Sequence, residues 1–293
     1  MTDGVVVWVD KGAVAPQPIH LLYVSTMGAT PNLSHPRCLV VAEANSEVKI
    51  VEDYVAIAPE AIAPENHTSA YFTNSVTEIF LEDNAAVTHV RLQRDDSSSF
   101  HIGKTAVSQA RTSRYTCHAI NLGARISRHN LEVFQLGEQT ETTLNGLVMI
   151  TGEQLADTHS LIAYEHPHGT SHQLQKCIID GSAHAVFNGK VNVPQAAQLT
   201  DASQLNRNLL LSTKGKVDTK PQLEIVADNV KCTHGATVSQ LKADEVFYLQ
   251  SRGIDATRAQ NLLIYAFAAE IFEAIPIASL KQILVKTVER FTR

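Results

Sequence analysis

Alternation of apolar and polar side chains at period 2, broken by glycine turns and continued over most of the chain, constrains this sequence more than any motif it carries. Val48 and Ile50 flank Lys49; Thr88, Val90 and Leu92 alternate with His89, Arg91 and Gln93; Val191 and Val193 flank Asn192. Successive side chains of a strand point to opposite faces, so these runs predict strands with one face in and one face out. Leu122-Gly123, Leu136-Gly137, Thr151-Gly152, Asp180-Gly181 and Asn188-Gly189 read as turns between them, the first three spaced 14 and 15 residues apart. No segment before residue 242 has helical periodicity. Short strands over residues 1–242 fit a sandwich, a barrel or a β-solenoid, although strict repeat motifs are absent. Val5-Val-Val-Trp-Val9 starts the chain as a strand already inside a sheet.

The pattern changes near residue 242. All 13 histidines and all four cysteines lie before it, and the remainder carries one Gly and one Pro. Residues 1–242 are therefore read as a β core and residues 243–293 as a helical domain. Arg252-Gly253 closes a short apolar segment, Gly suiting the left-handed position after a helix end. Asp255 is a plausible N-cap for a helix from Ala256 to Ile275, ended by Pro276. Ile277, Leu280, Leu284, Val288 and Phe291 form one apolar stripe on a last helix.

Composition excludes several classes. With 24 basic and 30 acidic residues, net −6, and no basic patch, the chain is not read as binding nucleic acid. Its most apolar run, Leu262 to Ala269, falls far short of the roughly 20 residues of a membrane span. Met1-Thr2-Asp3 lacks the charged start and apolar run of a secretory leader, so a cytoplasmic location is expected. The cysteines at 38, 117, 177 and 232 fit no zinc spacing and are read as thiols.

Three stretches carry possible chemistry. Gly103-Lys104-Thr105 resembles the end of a phosphate-binding loop, but Ser98 stands where the motif has its first Gly, and β-prone residues follow where a helix is needed; a strand turn is the plainer reading. His166, His168 and His172 lie within seven residues and are candidate metal ligands, set against a polar surface turn around Pro167 and Gly169. Cys232 and His234, two apart on a strand, point to the same side, and thiolate with imidazole suits zinc or iron. Two ligands alone are not a site, and a buried thiol beside a strand-end histidine is the alternative. The carboxylate pairs Glu82-Asp83 and Asp95-Asp96 sit in turn-like contexts, so catalysis finds little support.

The ordered set Asn208-Leu-Leu-Leu-Ser212, Val217-Asp-Thr-Lys-Pro-Gln-Leu-Glu-Ile225, Ala227-Asp-Asn-Val-Lys-Cys-Thr-His-Gly-Ala-Thr237 and Phe247-Tyr-Leu-Gln-Ser-Arg-Gly-Ile254 strongly resembles the SufB/SufD family. Pro18-Ile-His-Leu-Leu22, Lys190-Val-Asn-Val193 and Ala197-Gln-Leu-Thr200 resemble it too, and Lys-Cys-Thr-His-Gly-Ala points to its SufD branch. Two features depart from the pattern: the branch's N-terminal helical region is absent here, and Ser239 stands where a Gly is expected.

The resemblance implies a right-handed parallel β-helix, or β-solenoid, followed by a small helical domain. It implies a non-catalytic scaffold for iron–sulfur cluster assembly that pairs with SufB and docks the ATPase SufC, in the cytoplasm or, in a eukaryote, the plastid stroma. It places Cys232 and His234 at the SufB interface where the cluster forms, and Tyr248, Arg252 and Gly253 at the SufC contact. No cofactor is expected to bind the isolated chain tightly; an iron–sulfur cluster is held transiently in the complex. Alone, the chain is expected to form a homodimer through residues 223–238, and its helical tail to be removable without unfolding the β core. The competing class is a β-solenoid carbohydrate-active hydrolase or lyase, which needs carboxylates aligned along one face.

Overall fold

The computed structural model describes residues 4–27, 30–57 and 70–291. Two all-parallel sheets face each other. The first holds β1 (Val5–Val9), β4 (Arg37–Ala42), β6 (Tyr71–Leu81), β8 (Phe100–Gln109), β10 (Ile126–Gln135), β12 (Leu155–Tyr164), β14 (His184–Val193) and β16 (Lys216–Ile225) in that order, with β3 (Asn32–Ser34) also beside β6. The second runs β2 (Ile19–Thr26), β5 (Glu47–Ile57), β7 (Ala86–Arg94), β9 (Arg114–Asn121), β11 (Glu141–Ile150), β13 (Thr170–Ile179), β15 (Asp201–Leu210) and β17 (Lys231–Gln240). From β4 onward the chain alternates between sheets, so each coil gives one strand to each: a parallel β-solenoid with three C-terminal helices, α1 (Ala243–Ser251), α2 (Ala256–Phe272) and α3 (Ala278–Phe291).

Neighbouring coils stack in register. Phe100 lies beside Ile126 and Leu155 beside His184, coils of 26 and 29 residues. The 14- and 15-residue spacing of glycine turns is therefore the half-coil. Ile79, Val107, Val133, Ile162 and Val191 form one inward aliphatic ladder across five strands, each at most 1% exposed. Burying each such side chain contributes roughly 1.5–3 kcal/mol.

One corner of every coil is a residue in the left-handed region. Gly12, Asn45, Asn84, Thr112, Gln139, His168 and Leu199 all have φ between 58° and 73°. Each donates its backbone N–H to the carbonyl just before the next corner, Gly12 to Ala44, Asn45 to Asp83, and so on to His168 to Gln198. Leu199, the last, donates to Asn229 at 2.7 Å. The stack holds six non-glycine residues in a conformation that costs each roughly 1–2 kcal/mol.

Two local expectations are corrected. Asn188-Gly189 is no turn but the middle of β14, where a Cβ on Gly189 would lie 2.3 Å from Gln204 Nε2. Gly103-Lys104-Thr105 is likewise mid-strand in β8, its glycine leaving room for Arg91. The expected Gly253 and Asp255 caps are present: Gly253 has φ +84°, and the Asp255 side chain accepts from Arg258 N. α2 ends at Phe272, three residues before the expected Ile275.

α2 and α3 cover the outer face of the second sheet. Ile264, Ala268, Ile271, Phe272, Leu280, Leu284 and Val288 form one apolar cluster with Val51, Val90, Leu92, Ile120, Leu147, Met149, Ile178 and Leu209. Lys176, on that face, donates to Phe267 O at 2.8 Å and to Glu270, and lies 4.4 Å over the Phe267 ring. The tail that was expected to be removable thus shares an apolar face with the second sheet, which its removal would expose.

The corner stack yields a test. Leu199→Gly relieves the left-handed strain at an exposed side chain, 48% accessible, and should raise stability by about 0.5–1 kcal/mol despite the entropy of glycine. Chemical denaturation of the variant against wild type checks it.

Candidate functional site

The last coil is open. Among the described residues β17 pairs only with β15 and β16 only with β14, so each presents a free strand edge. Cys232 is in register with Ala202 and His234 with Gln204, both buried inward residues. Cys232 packs on the inner core, whereas His234 is exposed because no further coil follows. Burial raises the Cys232 thiol above its ordinary pKa; a backbone hydrogen bond from Ala202 opposes this and the Asp201 charge adds to it. The thiol is thus kept protonated in the isolated chain, and ligation requires it to lose that proton.

These two donors share a side, as their spacing predicts. Among the described residues no group of three or more His, Cys, Asp or Glu converges as a metal site. His166, His168 and His172 are not brought together: His168 is a corner residue of the turn stack, while His172 Nδ1 pairs with Ser203 Oγ at 2.8 Å on β13. All four cysteines are free, three buried and Cys232 partly so.

Beside the open coil, α1 carries no buried residue. Phe247 and Tyr248 are 70% and 59% exposed, and the Arg252 guanidinium lies 5.4 Å over the Tyr248 ring. Tyr248, Arg252 and Gly253 thus form one exposed corner beyond the second sheet.

A buried polar network, not anticipated, fills the N-terminal half of the interior. Thr77 Oγ1 donates to Glu52 Oε1 at 2.7 Å, and His89 Nε2 donates to Glu52 Oε2 at 3.0 Å. Burial alone would lower the His89 pKa; the Cys117 and Glu52 hydrogen bonds and charges outweigh it and raise the pKa to about 10. Burial raises Glu52, but His89, Thr77 and Arg91 pull it below the ordinary carboxylate value. The pair is therefore ionic.

His101 differs. Burial and the Arg91 charge outweigh Asp95 and keep it neutral. Its Nδ1–H donates to Asp95 Oδ2 at 2.8 Å, and its Nε2 accepts from Arg91 Nη2 at 2.6 Å. Ser75 Oγ lies 3.3 Å from the same Nε2, giving the outline of a serine–histidine–aspartate triad. The ring nitrogen that would act as base is occupied by Arg91, and all three residues are buried. The sequence signal was present in the alternation of His89, Arg91 and Gln93, whose inward orientation was not legible.

The geometry defines a class: a parallel β-solenoid closed by helices along one face, with a cysteine and a histidine on its open last coil. The pattern of the family described as "SUF system FeS cluster assembly, SufBD core domain" matches residues 24–267. The chain is 54% identical over 96% of its length to an iron–sulfur cluster assembly SufBD family protein of Synechocystis, covering 62% of that protein. It is 40% identical over 94% of its length to Protein ABCI7, chloroplastic, of Arabidopsis thaliana, covering 57%. It is 34% identical over 94% of its length to the iron–sulfur cluster assembly protein SufD of Escherichia coli, covering 63%. The chain belongs to the SufBD family of iron–sulfur cluster assembly proteins and spans about three fifths of the length of these relatives.

The buried ion pair makes stability depend on pH. His89 keeps its proton to about pH 10, while an unfolded imidazole loses it near 6.5. Its contribution is complete below 6.5 and lost as pH rises toward 10; that of Glu52 is present above 4.5 and lost as pH falls through its depressed pKa. Glu52→Gln should cost roughly 3–5 kcal/mol and flatten the alkaline slope of a thermal-melt pH profile.

Proposed function

We propose that this chain is a non-catalytic, SufD-type scaffold subunit, pairing with a SufB homologue and docking a SufC-type ATPase. The observation that carries the reading is the open last coil, where Cys232 and His234 face one way beside two unpaired strand edges. Two donors leave an iron–sulfur cluster incompletely ligated, so a partner meeting the same edge supplies the rest. The cluster is cargo: mixed imidazole–thiolate ligation holds it weakly enough to be passed on, and the isolated chain binds none tightly.

The exposed Phe247, Tyr248 and Arg252 on α1 and its end support this corner as the ATPase contact, because the apolar faces of α2 and α3 are already covered by the second sheet. Without SufB, a second copy occupies the open edge and gives a homodimer. No helix among the described residues is long and apolar enough to cross a membrane. The proposed compartment is the cytoplasm or a plastid stroma.

A hydrolase or lyase reading has no comparable support. On the outer face of the first sheet, Glu132, Asp157, Asp218 and Glu224 are each paired with a basic residue, Lys104, Arg128, His184 and Lys190, and do not form an acidic row.

His234→Ala truncates an exposed side chain and should cost at most the ordinary ~1 kcal/mol of a point mutant. Cluster formation in the reconstituted complex, supplied with iron, sulfide and ATP and followed by absorption, should fall well below wild type. Cys232→Ser should have the smaller effect, because the thiol is partly core. Wild-type cluster yield from His234→Ala removes His234 from the reading.

A further inference from the structure

The solenoid interior carries its polar side chains opposite glycine. A Cβ on Gly103 would lie 2.7 Å from Arg91 Nη2, on Gly146 1.8 Å from Gln175 Oε1, and on Gly189 2.3 Å from Gln204 Nε2. These three notches let bulky polar groups share a lumen built for aliphatic ladders. Between the N-terminal ion network and the open coil, the interior encloses a cavity of about 20 Å³, whose polar lining includes His129, Thr158, Ser160, Gln173 and Gln175.

Two of these residues lack a protein partner on one atom. His129 is 2% exposed and Thr158 7%, yet His129 Nδ1 and Thr158 Oγ1 make no hydrogen bond to the protein. His129 Nε2 is engaged with Thr105 Oγ1 at 3.1 Å. Burial, with the charges of Arg91 and His89, keeps the ring neutral, so it has one donor and one acceptor nitrogen and only one is used. Buried polar atoms are nearly always satisfied, by protein or by ordered water. One water needs about 10–15 Å³ and two to four polar partners, and this cavity offers both.

We propose that the cavity is an internal water site, holding one water bonded to His129 Nδ1, Thr158 Oγ1 and the Ser160 hydroxyl. The water joins two separate hydrogen-bonded segments. One is Thr105–His129. The other is Ser160–Gln173–Gln204, with Gln173 Nε2 donating to Ser160 Oγ at 2.8 Å and Gln204 Nε2 donating to Gln173 Oε1 at 2.9 Å. Together they form one line from the middle of the solenoid to Gln204, the register neighbour of His234 on the open coil. The inference concerns the interior alone and stands whether or not His234 ligates a cluster.

A high-resolution crystal structure of the intact chain, with water cross-relaxation and ring-nitrogen NMR of His129 in solution, tests it. The expected result is one density peak within hydrogen-bond distance of His129 Nδ1, and magnetisation transfer from a long-lived water to the His129 ring. Thr158→Val keeps the shape and removes one partner; it should shift the His129 Nδ1 resonance and lower the water's occupancy. A dry cavity in the folded wild type, with no cross-relaxation, overturns the proposal. So does a Thr158→Val variant whose His129 Nδ1 resonance is unchanged.

Discussion

In-register stacking of parallel coils is the constraint on which the rest depends. Once Phe100 lies beside Ile126 and Leu155 beside His184, every inward residue has its place in an axial row. The interior must then be solved row by row. Ile79 to Val191 solve one row with aliphatics, and the Ile50 row changes to His89, Cys117, Leu144 and Gln173 on successive strands. The polar rows cost burial energy that only complete hydrogen bonding offsets, which explains why Arg91, His101 and Asp95 are joined and why glycine sits where their bulk requires it. The corner stack follows from the same register, since each left-handed residue is held by the carbonyl of the coil beside it.

The fold class was legible because period 2 and glycine punctuation are local signals, and the half-coil is visible as the spacing of Gly123, Gly137 and Gly152. Which face points inward was not. In β7 the apolar residues Val90 and Leu92 lie outside, beneath α2 and α3, while His89, Arg91 and Gln93 face the lumen. Alternation fixes a strand's period but not its sense when both faces are buried, and here helices more than 150 residues away in sequence decide it. For the same reason Asn188-Gly189 and Gly103-Lys104-Thr105 read as turns: a glycine that makes room for a neighbour's side chain looks locally like one that bends the chain. His168, a candidate ligand set against a surface turn in the sequence, stands at a left-handed corner of the coil stack.

The Cys232–His234 pairing was legible, since strand spacing alone puts both on one side. Their setting was not, because it depends on the coil series ending at β17. Stacking satisfies every inner coil but not the end coils, and at the C-terminal end β16 and β17 keep unpaired edges and a half-covered inner face. A solenoid leaves its reactive chemistry where its own repeat can no longer enclose it, and the proposed partnership with SufB rests on that physical incompleteness. In the tail, α2 and α3 pack on the second sheet while α1 buries no residue.

Backbone hydrogen exchange over residues 216–240, measured on the chain at low concentration and after addition of a SufB homologue, tests the central claim that this edge is completed by a partner. The account predicts rapid exchange of the outward edge amides of β16 and β17 in the dilute chain and strong protection of those amides in the complex, with the inner coils unchanged. Protection that leaves residues 216–240 as exposed as before, while the complex forms elsewhere on the surface, would contradict it.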